Sequence, residues 1–203
     1  MKMNSVFFQE KKVYPTKVVC AGRNYLDHIK ELNNQTPDEI VLFMKPNSAI
    51  GPQLILPAAK CRYEGEITFI FENGIIGGVG FGIDLTLTDV QNRLKDKGFP
   101  WEKSKSFNNS AVFTDFVPFR NLENLHLQLW VNGELRQAAG VSSMITKPSE
   151  LIEEVNDHFT LDDYDLLMTG TPKGVATINR GEHYKGMIFE DDQLLVEKEW
   201  HVI

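Results

Sequence analysis

The chain has 203 residues, of which 42% are hydrophobic, and its formal net charge is −7 at pH 7. This size predicts one domain over 1–203, with 1–15 as an N-terminal edge segment. The acidic balance argues against nucleic-acid binding, and the apolar runs are too short to span a bilayer. The first residues lack the apolar region of a signal peptide, so we expect a cytoplasmic protein. Cys20 and Cys61 stand apart in strand-like surroundings, which predicts reduced, buried thiols and no disulfide.

The first part of the chain predicts two strands separated by a short helix. Residues 17–22 are an apolar run that closes on glycine, which indicates a buried strand, and 41–44 form a second one. Asn24 is placed to cap a helix over 25–32, and a polar break follows at 33–37. Because this helix is short, polar and flanked by hinge-like residues, we expect it to be mobile.

Residues 63–71 form the stretch around which the rest of the chain is organised. Their alternating pattern predicts a strand with one apolar face and one face that begins with two glutamates. A glycine-rich return strand over 79–85 follows, and its glycines suggest a close approach of the backbone to a neighbour. Residues 88–91 then fit a capping box at the start of a helix, and this box would account for Gln91.

The second half of the chain is dominated by strand patterns. The pair Asn132-Gly133 between apolar runs predicts a hairpin, and Pro148 predicts the start of a helix that ends near His158. Since strands outnumber helices, we predict an α+β, β-rich fold, a mixed β-roll or sandwich with peripheral helices. The other strands predicted here are 111–117, 125–131, 135–138 and 166–168.

Glu64 and Glu66 lie at i and i+2 of one strand face, so their Cα atoms are roughly 6–7 Å apart. Like charges this close to a core repel, and a shared proton or, better, a hard divalent cation would relieve the repulsion. Asp84 on the return strand can lie beside them, and three carboxylates suit Mg²⁺ or Mn²⁺. The alternative is a strand with a solvated outer edge, where acidic pairs are harmless and Asp84 simply ends a strand.

His28 and Glu31 lie at i and i+3 and share one face of the short helix. A carboxylate beside an imidazole fixes its tautomer and raises its basicity, as a general base requires. The alternative is an ion pair on a solvated helix surface. Cations and hydroxyls that could hold an anionic substrate are also present, although each could equally be solvated or part of a tight turn. These candidates are Arg23, Lys45, Lys105, Lys173, Thr169 and Thr171.

Six short motifs occur in order along the chain. They are Gly22-Arg23-Asn24-Tyr25-Leu26-Asp27-His28, Glu64-Gly65-Glu66, Asp84-Leu85-Thr86, Lys103-Ser104-Lys105-Ser106-Phe107, Asn132-Gly133-Glu134-Leu135-Arg136-Gln137 and Thr169-Gly170-Thr171-Pro172-Lys173-Gly174-Val175. Each is weakly specific alone, but together they resemble the fumarylacetoacetate hydrolase family. The resemblance covers roughly residues 16–200 and is to short, single-domain members related to acylpyruvate hydrolases and oxaloacetate decarboxylases.

The resemblance implies a metal site, a catalytic pair and a substrate-binding wall. It implies that His28 and Glu31 form a dyad on a lid helix that orders when substrate binds, and that Lys105 lies beside metal and substrate. It also implies a β-rich roll that is usually a homodimer. The implied ligands of Mg²⁺ or Mn²⁺ are Glu64, Glu66 and Asp84, and the implied substrate-binding residues are Arg23, Gln91 and Thr171.

Four positions depart from the family pattern and leave the substrate open. Thr88 stands where many relatives have arginine, and Arg62 stands where histidine is frequent. Asn108 replaces a common aspartate, and Ala176 replaces a frequent glycine. None of the four removes an implied metal ligand, but we expect them to lie around the pocket.

The main functional hypothesis is a Mg²⁺-dependent hydrolase that cleaves a C–C bond in acylpyruvates, the 2,4-diketo acids, through a metal-stabilised pyruvate enolate. His28, oriented by Glu31, would deprotonate the attacking water, and Lys105 would stabilise the developing negative charge. The alternative is an oxaloacetate decarboxylase or keto–enol tautomerase at the same site. In both, the partner is a small 2-keto or 2,4-diketo acid. A third hypothesis, from another class, is a cation-binding domain without catalysis.

Overall fold

The computed structural model describes residues 3–32 and 38–203, so the predicted polar break at 33–37 lies outside the described residues. Three sheets with peripheral helices confirm the predicted β-rich α+β fold class. None of the helices in the described ranges is long and apolar enough to cross a membrane. The strands are β1 (Val6–Phe8), β2 (Lys11–Val13), β3 (Lys17–Gly22), β4 (Val41–Pro46), β5 (Cys61–Glu72), β6 (Ile75–Leu87), β7 (Ala111–Phe113), β8 (Leu125–Val131), β9 (Glu134–Gly140), β10 (Leu166–Met168), β11 (Ala176–Thr177), β12 (His183–Glu190) and β13 (Gln193–His201). The α-helices are α1 (Leu26–Glu31), α2 (Thr88–Asp96), α3 (Glu102–Lys105) and α4 (Pro148–His158).

The central sheet carries the glutamate strand. Its order is β4-β3-β10-β5-β6-β7, with β11 also paired to β5, and β3 runs parallel to β10 while the other pairs are antiparallel. The β5–β6 register pairs Glu64 with Asp84 and Glu66 with Gly82, so the three carboxylates share one face of the sheet. Glu64 and Glu66 are only 4% and 2% exposed, which excludes the alternative of a solvated strand edge.

A second sheet, ordered β13-β12-β8-β9, packs on the other face of β5 and β6. Gly186 of β12 lets the second sheet approach β6 closely, because a Cβ at Gly186 would lie 2.2 Å from Phe81 Cδ1. Leu129 of β8 and Ile188 of β12 join Phe81 in the same buried apolar cluster. This packing fixes the apolar face of the hairpin and turns its acidic face towards the opposite side, where the functional site lies.

Several elements agree with the sequence predictions. Strands β3, β8 and β10 have the predicted bounds, and α4 runs from Pro148 to His158 as predicted. The turn Asn132-Gly133 has φ values of 52° and 82°, the positive sign that a tight hairpin turn of this kind requires. Cys20 and Cys61 are buried and free, and burial raises the pKa of the Cys61 thiol to about 12.

Both predicted N-caps are wrong. The side chain of Asn24 does not cap α1 but bonds to the backbone of Thr146 and Thr169 at 2.7–2.9 Å. The N-cap of α2 is Leu87, and the capping box starting at Thr88 does not form. A capping signal describes an isolated helix, whereas the folded chain offers these polar side chains other partners.

Candidate metal centre and active site

Three carboxylates converge on the acidic face of the β5–β6 hairpin. Glu64, Glu66 and Asp84 each offer an oxygen atom, and these atoms all lie within 4.8 Å of one another. Gly65, between the glutamates, faces the second sheet, where a Cβ would lie 2.8 Å from Phe81 Cζ. Strand alternation and the hairpin register therefore produce the convergence, as the sequence pattern predicted.

Two buried lysines supply counter-charge to this cluster. Lys105, at the end of α3, donates from Nζ to Glu64 Oε2 at 2.6 Å and to Asp84 Oδ2 at 2.7 Å. Lys45 of β4 places its Nζ 2.8 Å from Asp84 Oδ1 and also donates to the Lys105 carbonyl oxygen and to Ser110 Oγ. Lys45 thus lies behind the carboxylates and outside the pocket lining, so it is not placed to hold a substrate.

The charges of these groups shift each other's pKa values. Burial alone would raise the pKa of Glu64, but Lys105 and Arg62 outweigh burial and hold this pKa well below its usual range. Burial raises the pKa of Glu66 well above its usual range, and the charges of Asp84 and Glu64 add to this effect. Burial would lower the pKa of Lys105, yet Asp84 and Glu64 outweigh it and raise this pKa. Glu66 is therefore a carboxylate that the surrounding chain leaves poorly compensated.

This donor set fits a hard divalent cation. Glu66 Oε2 accepts a hydrogen bond from Gly170 N at 2.7 Å, which orients the carboxylate without neutralising it. Asp84 Oδ1 is buried and forms an ion pair with Lys45, but it has no partner with hydrogen-bond geometry in the described part of the chain. Buried carboxylate oxygens that repel one another and keep unfilled lone pairs are the ligands that Mg²⁺ and Mn²⁺ prefer.

His28 and Glu31 form the expected pair on α1. His28 Nδ1 lies 3.3 Å from Glu31 Oε2, and the Glu31 carboxylate accepts hydrogen bonds from Gly174 N at 3.0 and 3.2 Å. His28 is only 6% exposed, so the alternative of a solvated surface pair does not describe it. Burial lowers the pKa of His28, although Glu64 and Glu31 oppose the shift. The imidazole is therefore neutral near pH 7, and Glu31 favours the proton on Nδ1, so Nε2 is the unprotonated ring nitrogen.

One pocket collects most of the predicted site residues. Gln91 of α2 is buried and lines this pocket, away from the capping role that the sequence suggested. Arg23 lines it from the end of β3 with φ of 58°, and Thr171 lines it from the loop after β10. Of the nine predicted site residues, eight line the pocket, and the ninth, Glu31, contacts His28 behind it.

The sequence analysis assigns no role to three residues of this region. Gln137 is buried, accepts a hydrogen bond from Gly65 N at 2.9 Å and donates to Thr171 Oγ1 at 2.8 Å, so it joins β5 to the loop after β10. Lys95 lines the pocket from α2, four residues beyond a predicted pocket residue, and this helical spacing could have indicated it. Trp101 lines the pocket just before α3, and no sequence signal marks its position.

Among the four departures from the family pattern, Arg62 lines the pocket. Its Nε and Nη2 donate to Glu64 Oε1 at 2.8 and 2.5 Å, so it also adds positive charge beside the carboxylates. The candidate Lys173 is exposed and pairs with Asp27 at 3.2 Å, outside the pocket lining. The expectation that all departures surround the pocket is wrong, because three lie outside its lining: Thr88, Asn108 and Ala176.

The fold and the site together define a class of protein. A neutral histidine with its carboxylate faces three buried carboxylates and a lysine across one pocket of a β-rich fold. This combination defines a divalent-metal-dependent enzyme. Residues 17–197 match the family described as fumarylacetoacetate (FAA) hydrolase C-terminal. The chain belongs to the fumarylacetoacetate hydrolase family, which confirms the resemblance carried by the six motifs.

Three known proteins illustrate the likeness. Oxaloacetate tautomerase YcgM of Escherichia coli (strain K12) is 38% identical over 190 residues, covering 83% of this chain and 87% of that protein. The crystal structure of a candidate fumarylacetoacetate isomerase/hydrolase from Oleispira antarctica has a TM-score of 0.94 at 32% identity, covering 99% of this chain and 100% of that chain. The crystal structure of fumarylpyruvate hydrolase from Pseudomonas aeruginosa in complex with Mn²⁺ and pyruvate has a TM-score of 0.87 at 27% identity, covering 99% and 96%.

Proposed function

We propose that this protein is a divalent-metal-dependent hydrolase that cleaves a C–C bond in acylpyruvates, with Glu64, Glu66 and Asp84 as the ligands of Mg²⁺ or Mn²⁺. The observation that carries the proposal is the convergence of these three buried carboxylates opposite a neutral histidine in one pocket. The likeness to a fumarylpyruvate hydrolase whose crystals contain Mn²⁺ and pyruvate supports both the metal and the substrate class.

Substrate binding and charge stabilisation follow from the positions of the pocket residues. A divalent cation held by the carboxylates would act as a Lewis acid towards the carboxylate and 2-keto oxygens of the substrate. Arg23, Gln91 and Thr171 line the pocket and orient the rest of the substrate. The ammonium group of Lys105 lies beside the same site and stabilises negative charge on the keto oxygen as the pyruvate enolate forms. Loss of one such stabilising group typically costs about 10²–10³ in rate.

The proton transfers fall to His28. Its free Nε2 takes a proton from a water molecule, which attacks the distal carbonyl carbon, and Glu31 stabilises the imidazolium that results. The C–C bond then breaks, its electron pair stays on the pyruvate fragment as the enolate, and a proton is returned to that carbon. Because α1 carries His28 in the pocket wall, with Glu31 behind it, closure of α1 over a bound substrate would exclude bulk water.

Keto–enol tautomerisation of oxaloacetate is the second candidate, and the 38% identity to a protein named oxaloacetate tautomerase favours it. Oxaloacetate would bind the metal through the same carboxylate and 2-keto oxygens and would form the same kind of enolate. The reaction needs no attacking water. His28 would instead move a proton to and from the carbon next to the keto group. Decarboxylation of oxaloacetate is a further variant of this chemistry, in which the leaving group is CO₂.

A direct assay separates these candidates. The purified protein is supplied with Mg²⁺ or Mn²⁺ and with acetylpyruvate or oxaloacetate, and pyruvate release and the keto–enol equilibration are followed separately. Hydrolysis of acetylpyruvate supports the first proposal. Accelerated equilibration of oxaloacetate without acetylpyruvate hydrolysis supports the second. No turnover of either acid by protein that binds the metal normally would favour the cation-binding domain without catalysis.

A cytoplasmic homodimer remains part of the proposal. The family resemblance supports the homodimer, and the free, buried thiols of Cys20 and Cys61 fit a reducing compartment such as the cytoplasm. Light scattering on the purified protein tests it, because a mass of one chain at assay concentrations would exclude a stable dimer.

A further inference from the structure

Two cations in the pocket wall lie over the ring of one tryptophan. Arg23 Cζ lies 5.9 Å from the centroid of the Trp101 ring, and Lys95 Nζ lies 5.0 Å from it. All three residues line the same pocket as the carboxylates. Attraction to the ring face holds each cation in place without neutralising it.

Neither cation has a carboxylate partner within residues 3–32 and 38–203. Arg23 Nε is buried, and its N–H finds no hydrogen-bond acceptor among those residues. The remaining residues, 1, 2 and 33–37, contain no aspartate or glutamate that could serve. Burial lowers the pKa of Lys95 to about 8, and the charges of Arg23 and Arg62 add to this effect. Glu64 partly opposes this shift, but no carboxylate of the described chain pairs directly with either cation, so the wall holds positive charge without a direct partner.

The charge balance of the pocket indicates what would offset it. Lys45, Lys105 and Arg62 already match the three carboxylates in number and contact two of them. A bound divalent cation therefore leaves an excess of positive charge, to which Arg23 and Lys95 add. A substrate with a single carboxylate can pair only with the chelating end of the site, where the metal is held, and leaves the cations over Trp101 without a partner. A substrate with a second carboxylate at its far end can pair with both ends.

We propose that Lys95 is a specificity-determining residue, which, together with Arg23 over Trp101, binds the far carboxylate of a dicarboxylic 2-oxo acid. This inference rests on the proposed function and narrows its substrate class from 2-oxo acids in general to those that carry a second carboxylate. Helix α2 fixes the position, because Gln91, one turn earlier, lines the same pocket and is buried.

The test uses two inert probes that share one chelating head. N-oxalylglycine and N-ethyloxamate both offer a carboxylate beside an amide carbonyl, and they differ at the far end, where the first has a carboxylate and the second a methyl group. Their affinities are measured by calorimetry on Mn²⁺-loaded wild-type protein, Lys95→Met and Lys95→Arg. Lys97→Met is the matched control, because Lys97 is exposed near the end of the same helix and its loss removes the same charge.

We expect wild-type protein to prefer N-oxalylglycine, and Lys95→Met to lose about 10- to 100-fold of that preference, as for a hydrogen bond between charged groups. N-ethyloxamate affinity and Mn²⁺ affinity should stay within about twofold, Lys95→Arg should keep most of the preference, and Lys97→Met should keep all of it. The role of Lys95 would be overturned if Lys95→Met lost equal affinity for both probes, or if wild-type protein bound both probes equally well. Either result would leave the chelating site intact. Wild-type protein that binds neither probe with Mn²⁺ present would overturn this inference and the proposed function together.

Discussion

Gly174 has no room for a side chain, and its replacement by alanine tests how the proposed base is held. Its φ is +104°, and an added Cβ would lie 1.9 Å from the Arg136 carbonyl oxygen, against the 3.0 Å that real contacts respect. The loop must therefore move by about 1 Å. Gly174 N donates to the Glu31 carboxylate, so this movement withdraws the support of Glu31 and, through it, the orientation of His28.

The size of the effect follows from these contacts. Left-handed backbone strain costs about 1–3 kcal/mol, and a hydrogen bond to a charged group contributes about 1.5–3 kcal/mol. We expect the free energy of unfolding of Gly174→Ala to fall by about 2.5–6 kcal/mol, the sum of these two contributions. A displacement of about 1 Å can cost about 100-fold in rate, so kcat should fall by about 10- to 100-fold. Mn²⁺ affinity should change by less than about threefold, because Gly174 touches none of the carboxylate ligands.

Gly181→Ala is the matched control for this experiment. Gly181 has φ of +80°, yet no atom lies within 4 Å of an added Cβ, so alanine there meets the same backbone strain without the collision. Urea unfolding, steady-state kinetics and Mn²⁺ calorimetry are compared for the two variants. Equal losses of stability and of kcat in both would show that close packing against Arg136 does not position Glu31.

Three further outcomes test the assigned roles. Glu66→Gln should abolish metal-dependent turnover and leave the thermal melting temperature nearly unchanged, because a ligand is lost while repulsion with Glu64 is relieved; undiminished turnover would remove Glu66 from the site. His28→Ala should lower hydrolysis by about 10²–10⁴ without weakening Mg²⁺ binding in calorimetry, and a parallel loss of affinity would mean that His28 is a ligand. Since burial lowers the pKa of His28 from its usual 6.5 and the neutral form is the base, kcat/KM should hold down to pH 6.5 and fall below it; an acid limb centred above 6.5 contradicts this assignment.

Local pattern predicted the acidic cluster well. Glu64, Glu66 and Asp84 belong to one hairpin, so alternation along two strands is enough to bring them together. Asn24 and Gln91 were misread as capping residues, because a sequence pattern shows the nearest helix terminus and cannot show a distant partner. Their true surroundings form when segments far apart in the chain pack together.

The pocket wall was missed for the same physical reason. Lys95 and Trp101 meet because α2 and α3 pack against each other, and a single lysine or tryptophan in the sequence carries no sign of that contact. Lys45 was taken for a substrate-binding candidate, whereas it is wholly buried beside Asp84. Its role as counter-charge depends on a strand pairing between β3 and β4 that a lone lysine does not reveal.

The ammonium group of Lys105 spans Glu64 and Asp84, so the folded chain itself tempers the repulsion that its acidic hairpin creates. A zinc finger collapses when its ion is withdrawn, because the ion is what keeps its ligands together. In this protein a chelator would abolish activity but leave the fold intact. Adding the ion back would restore activity without a refolding step. A cell depleted of the ion would then retain folded but inactive protein, which becomes active again when the ion is available.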